Sequence, residues 1–151
     1  VNVRPSAPGD LPQLQAIARV SHRDTRFYID QRFDRSRSDA LYEVWITKSC
    51  NGWADHVVVA EVDGAAAGYV TCHRRAGGGE IGLVGVAAGH RGAGLGRAMT
   101  MAALGWFQDH GVSTVSIATQ ARNAAALRLY QQAGFAVRGI ELSFHRWWRA
   151  Q

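Results

Sequence analysis

The chain has 151 residues, 47% of them apolar and 19% charged, enough for one ordinary globular domain over residues 1–151 and too few for two full enzyme domains. Its formal charge is +5, and Lys48 is the sole lysine among the basic residues. Arginine favours fixed pairing with phosphate or carboxylate. Without an arginine–lysine run or interleaved aromatics, an anionic small molecule is expected as partner rather than nucleic acid.

Val1 to Arg4 reads as a short strand stopped by Pro5 and Pro8. Asp10 can cap a helix with Leu11, Leu14, Ile17 and Ala18 at helical spacing. Ser21 to Arg37 mixes arginine, aspartate and aromatics without a clear period. A second helix is predicted over Ser38 to Lys48, with Leu41, Val44, Trp45 and Lys48 on its stripe and Asn51-Gly52 closing it. His56 to Val62 and Ala67 to Arg74 are strands joined by an Asp63-Gly64 hairpin signal. After Gly77-Gly78-Gly79, Glu80 to Ala87 is a fourth strand, and Gly85 inside it suggests a bulge. The next helix carries Leu95, Ala98, Met99, Ala102 and Trp106 on one face and ends near His110-Gly111. Val112 to Ala118 is a fifth strand, Ala124 to Ala133 a helix with Gly134 at its end. Phe135 to Arg138 and Ile140 to Trp148 are two final strands. The order predicts an α/β (α+β) domain, a mixed and mostly antiparallel sheet with helices on both faces.

Cys50 and Cys72 form no C-x-x-C or cysteine–histidine cluster, and the six histidines are scattered, so neither a disulfide framework nor a metal is expected. No basic-then-apolar leader and no membrane-length apolar run is read, which makes cytoplasm the expected compartment and no membrane an expected partner.

The most informative stretch is Arg91-Gly92-Ala93-Gly94-Leu95-Gly96-Arg97, where a strand turns into a helix. Glycines there allow close backbone approach, and the N–H groups at the helix start favour an anion such as pyrophosphate. A dinucleotide fingerprint needs glycine where Arg97 stands, and a P-loop needs Gly-Lys-Ser/Thr where Gly94-Leu95-Gly96 stands. Neither fits. Arg-x-x-Gly-x-Gly closely resembles the acetyl-CoA signature of the GNAT acetyltransferase superfamily, whose loop cradles the coenzyme pyrophosphate. Against this stands a plain tight turn. Three glycines in a first helical turn would cost roughly 1 kcal/mol each, which favours a functional reason for them.

A second constellation follows in Asn123 to Phe135. Asn123 stands at an N-cap position, and Tyr130, seven residues on, returns to the same helix face. Read alone, Asn123 could simply cap and Tyr130 simply fill the core. Asn-x-x-Ala-x-x-Leu-Tyr-x-x-x-Gly-Phe is similar to the second GNAT signature, in which the asparagine meets pantetheine and the tyrosine protonates the departing thiolate. The resemblance covers nearly the whole chain and implies acetyl-CoA as cosubstrate, with direct acetyl transfer to an amine. It implies that backbone groups of Val84 and Val86 pair with pantetheine. The base stays open: Glu80 has the spacing to Arg91 of the catalytic glutamate in the histone acetyltransferase branch, with His22, Asp24, Asp30 and His73 as rivals.

Further runs resemble the N-acetyltransferases of TDP-fucosamine and related nucleotide-linked amino sugars. They are Arg26-Phe27, Tyr42 to Ile46, Gly68 to Val70, Ile81 to Leu83, Ala118 to Gln120 and the aromatic tail Phe144 to Trp148. Arg26, Phe27 and Tyr28 are accordingly candidate substrate-binding residues, in a segment whose arginines could meet a diphosphate or simply pair with its own aspartates. Two competing readings remain. One is an acetyltransferase for an antibiotic, polyamine or peptide amine; the other is a non-catalytic acyl-CoA sensor. Trp147-Trp148 could cover the chain's own core or a second copy in a homodimer.

Overall fold

The computed structural model describes residues 1–148, so Arg149, Ala150 and Gln151 of the expected domain lie outside the described residues. Five strands form one mixed sheet in the order β1-β2-β3-β4-β5: β1 Asn2–Pro5, β2 His56–Val62, β3 Ala65–Arg75, β4 Gly78–Val86 and β5 Val115–Ile117. The first four pair antiparallel, and β5 joins β4 in parallel. The β2–β3 turn uses Asp63 at φ 51° and Gly64 at φ 78°, the left-handed pair that the Asp-Gly signal predicts.

The helices are α1 Leu11–Ser21, α2 Arg26–Ile29, α3 Arg35–Lys48, α4 Leu95–Asp109 and α5 Ala124–Gln132. One face of the sheet buries Val57, Val59, Tyr69 and Leu83 against α1 and α3, through Leu14, Ile17, Tyr42 and Ile46. The other buries Val58, Val70 and Ile81 against Leu95, Met99, Ala103 and Phe107 of α4. Both faces are thus covered, as the pattern of the sequence predicts, and β2 and β3 at the centre read as near-continuous apolar runs for that reason. No helix among the described residues is long and apolar enough to cross a membrane.

Several elements depart from the sequence-based expectation. Asp10 does not cap α1 by side chain; its carboxylate accepts from Ala7 N–H at 2.7 Å and from Arg4. α3 starts three residues early because Asp34 caps it, accepting from Arg37 N–H at 3.0 Å. Its buried stripe is Ser38, Tyr42 and Ile46 rather than one through Val44, which is exposed. The i, i+4 alignment of a small residue, a ring and an isoleucine fits the sheet better than the valine. β5 is only three residues long. Residues 135–148 form no strand. Alternation of Ile140, Leu142 and Phe144 marks an apolar face and does not by itself supply a pairing; here their side chains stay exposed, and the tail is held by side-chain bonds to the segment around α2.

Candidate active site

β4 and β5 share only the register Gly79–Ile81 with Val115–Ile117. Beyond Ile81 the outer edge of β4 has no ladder partner, and its backbone groups border a cleft. That cleft, with room for about 180 Å³, is lined from β4 by Gly82, Leu83 and Val84, and from the far side by Thr119, Gln120, Asn123 and Tyr130. Ser21, His22, Asp24, Thr25, Tyr42 and Trp45 close it from the α1–α3 side. An exposed strand edge facing polar side chains is a place for an extended, amide-bearing ligand.

The strand carries its bulge at Gly82 and Leu83, not at Gly85. Val70 pairs with Val84 and Cys72 with Ile81, so two β4 residues oppose the lone Thr71. Gly85 is glycine for another reason: a Cβ there would come within 2.7 Å of the Tyr69 ring.

The loop after β4 takes its shape from Gly92 and Gly94, both left-handed at φ 78° and 81°. Of the three turn glycines, Gly96 alone lies within α4, where a Cβ would sit 3.2 Å from Leu129 of α5. The three glycines therefore do not burden one helical turn: two shape the approach and one lets α4 meet α5. No side chain caps α4, so its first N–H groups stay available beside the exposed Arg91, Ala93 and Arg97. Arg91 Nε donates to the Val86 carbonyl at 3.3 Å. Leu95 is buried and anchors the helix start, so its contribution to a ligand is confined to its backbone.

Asn123 caps α5, accepting from Ala126 N–H at 3.1 Å, and also lines the cleft. Tyr130 packs edge-on to Phe135 and faces the same cleft. Burial pushes its phenol up to about 12.

On the opposite wall His22 stacks on Tyr42 with ring centroids 4.4 Å apart, and its Nε2 lies 3.0 Å from the Tyr69 hydroxyl. Burial pushes the imidazole down to about 4, so it is neutral at pH 7. Tyr69 is buried, and His22 Nε2 is its hydroxyl's hydrogen-bond partner among the described residues.

The other candidates fall elsewhere. Glu80 is not brought to the cleft; it pairs with Arg75 at 2.9 Å near the start of β4. Tyr28 is a core residue that donates to Asp39 at 2.6 Å and does not line the cleft. Arg26 and Phe27 stack at 5.1 Å outside the cleft lining. Asp30 accepts from Trp147 Nε1 at 2.7 Å. Arg23 pairs with Asp39 at 3.5 Å, whereas the other arginines of the segment have no ion pair among the described residues. Sequence reasoning did not single out Ser21 or Thr71. Thr119 and Gln120 had a signal in their place just before Asn123. No group of three metal-ligating side chains is assembled among the described residues.

The model of the Acetyltransferase (GNAT) family matches residues 16–135. The chain belongs to that family. It is 26% identical over 143 residues to the spore coat polysaccharide biosynthesis protein SpsD of Bacillus subtilis, covering 95% of this chain and 50% of that one. To dTDP-fucosamine acetyltransferase of Escherichia coli it is 29% identical over 140 residues, covering 91% and 59%. The chain thus spans about half the length of these curated relatives. Among solved structures it resembles the PaiA N-acetyltransferase of Thermoplasma acidophilum in complex with coenzyme A, with a TM-score of 0.71 at 17% identity over 93% of this chain and 92% of that one. The GNAT family uses acetyl-CoA, and the residues here fit it: a glycine turn with free N–H groups, an arginine and an unpaired strand edge.

Proposed function

We propose that this chain is an acetyl-CoA-dependent N-acetyltransferase that acts by direct transfer in a ternary complex, with a nucleotide-linked amino sugar as acceptor. The observation that carries the reading is one cleft holding Asn123 and Tyr130 opposite the unpaired Gly82–Val86 edge of β4, with the Arg91–Gly96 turn following that strand. The pyrophosphate sits on the turn and the α4 N-terminus, while pantetheine lies along β4 and reaches Asn123. The acceptor class rests on the likeness to dTDP-fucosamine acetyltransferase and SpsD.

In the transfer, the neutral amine nitrogen attacks the thioester carbonyl carbon, forming a C–N bond and a tetrahedral oxyanion. The Val84 N–H, on the unpaired edge, is the donor to that oxygen. The C–S bond then breaks. Tyr130 gives its proton to the leaving sulfur, and the amine nitrogen loses one proton to restore the balance. His22, lowered to about 4 by burial and bonded to Tyr69, is a poor proton acceptor and is not the base. The amine proton goes to Asp24, the carboxylate on the cleft wall, directly or through water.

Release of coenzyme A thiol, screened against TDP-amino sugars, aminoglycosides, polyamines and peptides, tests the reading. Turnover on TDP-amino sugars alone supports it fully, and preference for another amine moves the acceptor class. Acetyl-CoA binding without turnover on any amine would mark a sensor instead.

A further inference from the structure

A bulge leaves backbone donors out of register, and something must hold them. Under the β4 bulge that something is the Thr71 side chain, which is fully buried. Its Oγ1 accepts from Leu83 N–H at 2.8 Å, a place an undisturbed ladder would give to a backbone carbonyl. The same oxygen lies 3.3 Å from His73 Nε2, and His73 is itself buried. The hydroxyl therefore accepts one hydrogen bond from Leu83 N–H and makes a second with the imidazole, and the two together fix its rotamer. A Cβ on Gly82 would come within 2.8 Å of His73 Nε2 and 3.0 Å of Thr71 Oγ1. Glycine at 82 and the Thr71–His73 pair thus occupy one space from two sides.

Successive N–H groups of a strand point to opposite edges. With Leu83 N–H held toward β3, the next one, on Val84, turns toward the gap where β5 has left β4. We propose that Thr71 is a positioning residue, whose hydroxyl clamps the bulge and so aims the Val84 N–H at the acyl oxygen of the bound thioester. The inference rests on the acetyltransferase reading above for its chemistry, but the clamp itself is a property of the free protein. A threonine methyl and hydroxyl differ little in volume from valine. Removing the hydroxyl therefore leaves Leu83 N–H buried without a partner while the packing is kept. The bulge then relaxes toward a regular ladder, and the donor moves out of line.

The test uses the full chain with Thr71→Val, Thr71→Ser and Gly82→Ala, each first confirmed folded by circular dichroism and thermal melting. In Thr71→Val, kcat should fall about ten- to a hundredfold, less than the roughly hundred- to thousandfold cost of deleting an oxyanion donor, because the donor is displaced and not removed. Its affinity for acetyl-CoA should fall by less than kcat does, since the glycine turn is untouched and only the β4 contacts are disturbed. Thr71→Ser should restore kcat, and Gly82→Ala should reproduce the loss from the other side. In the ligand-free protein, hydrogen exchange at the Leu83 amide should quicken in Thr71→Val and recover in Thr71→Ser. Unchanged kcat in a folded Thr71→Val overturns the proposal, as does equal loss in Thr71→Ser. If the native chain acetylates no amine, the acetyltransferase reading fails by itself. Exchange at Leu83, together with the shift of the Val84 amide on adding acetyl-CoA, then decides the clamp: values identical in native and Thr71→Val protein refute it.

Discussion

The two walls of the cleft are built by different means. The side proposed for the coenzyme is local: Arg91 to Gly96 is one turn, and Asn123 caps the helix that carries Tyr130. The groups it offers are mostly backbone, so glycines and a helix start suffice. The side proposed for the acceptor is assembled from distance. His22, at the end of α1, meets Tyr69 of β3 and stacks on Tyr42 of α3. Groups that must fit a fixed cofactor can be encoded in a short motif. A wall that fits one particular amine is made of side chains that tertiary packing alone brings together.

Tyr130 stands where the two walls meet, and its removal should have the largest effect. Tyr130→Phe is expected to lower kcat by about a hundredfold or more, in line with losses of general acids. Its affinity for acetyl-CoA should hold, and calorimetry on the same preparation separates the two. Equal loss of both would make Tyr130 a part of the coenzyme wall only. Because burial raises the phenol to about 12, the native pH–rate profile should show no alkaline limb from this group near 10.

The acceptor wall can be probed through His22 without any substrate. The ring titrates near 4 when folded and near 6.5 when unfolded, so below 6.5 the unfolded chain binds more protons. Stability falls as pH drops from about 6.5 to about 4, by roughly 2–3 kcal/mol from this group. His56 and His73 are lowered by burial as well and add to the slope. The difference between native protein and His22→Gln in urea melts across that range isolates His22. A difference independent of pH would mean that the ring is solvated and the wall is open.

The coenzyme wall breaks more simply. Gly94→Val puts a β-branched residue at φ 81°, at a strain of about 1–2 kcal/mol. Acetyl-CoA affinity should drop about tenfold or more by calorimetry, while the pH slope due to His22 stays as it was. Retained affinity would show that the turn does not touch the pyrophosphate.

The same division governs what the sequence could show. Asp63-Gly64, the Arg91–Gly96 turn and the seven-residue step from Asn123 to Tyr130 are local patterns, and each was readable. The Gly82–Leu83 bulge was not, because it depends on a hydroxyl twelve residues away at Thr71. α2 was missed since it is a single turn, held through Tyr28 to Asp39 and Tyr42 to Thr25. The two final strands were predicted from alternation alone, and alternation says which face of a strand is apolar, not whether an edge waits for it.

Glu80 gives the smallest expected effect and the sharpest test of that lesson. Its spacing to Arg91 matched a catalytic position, yet spacing along β4 fixes the place of the Cα and not the company of the carboxylate. Here Arg75, opposite Gly78 in the ladder, reaches across to Glu80 at 2.9 Å. Both side chains are roughly half exposed, so the pair itself contributes less than about 1 kcal/mol to stability. Glu80→Gln should therefore leave kcat within about twofold, whereas Asp24→Asn should lower kcat at least about tenfold. A large loss in Glu80→Gln would mean that the acceptor draws Glu80 away from Arg75 on binding, and that the acceptor wall extends along β4 beyond the cleft seen in the free protein.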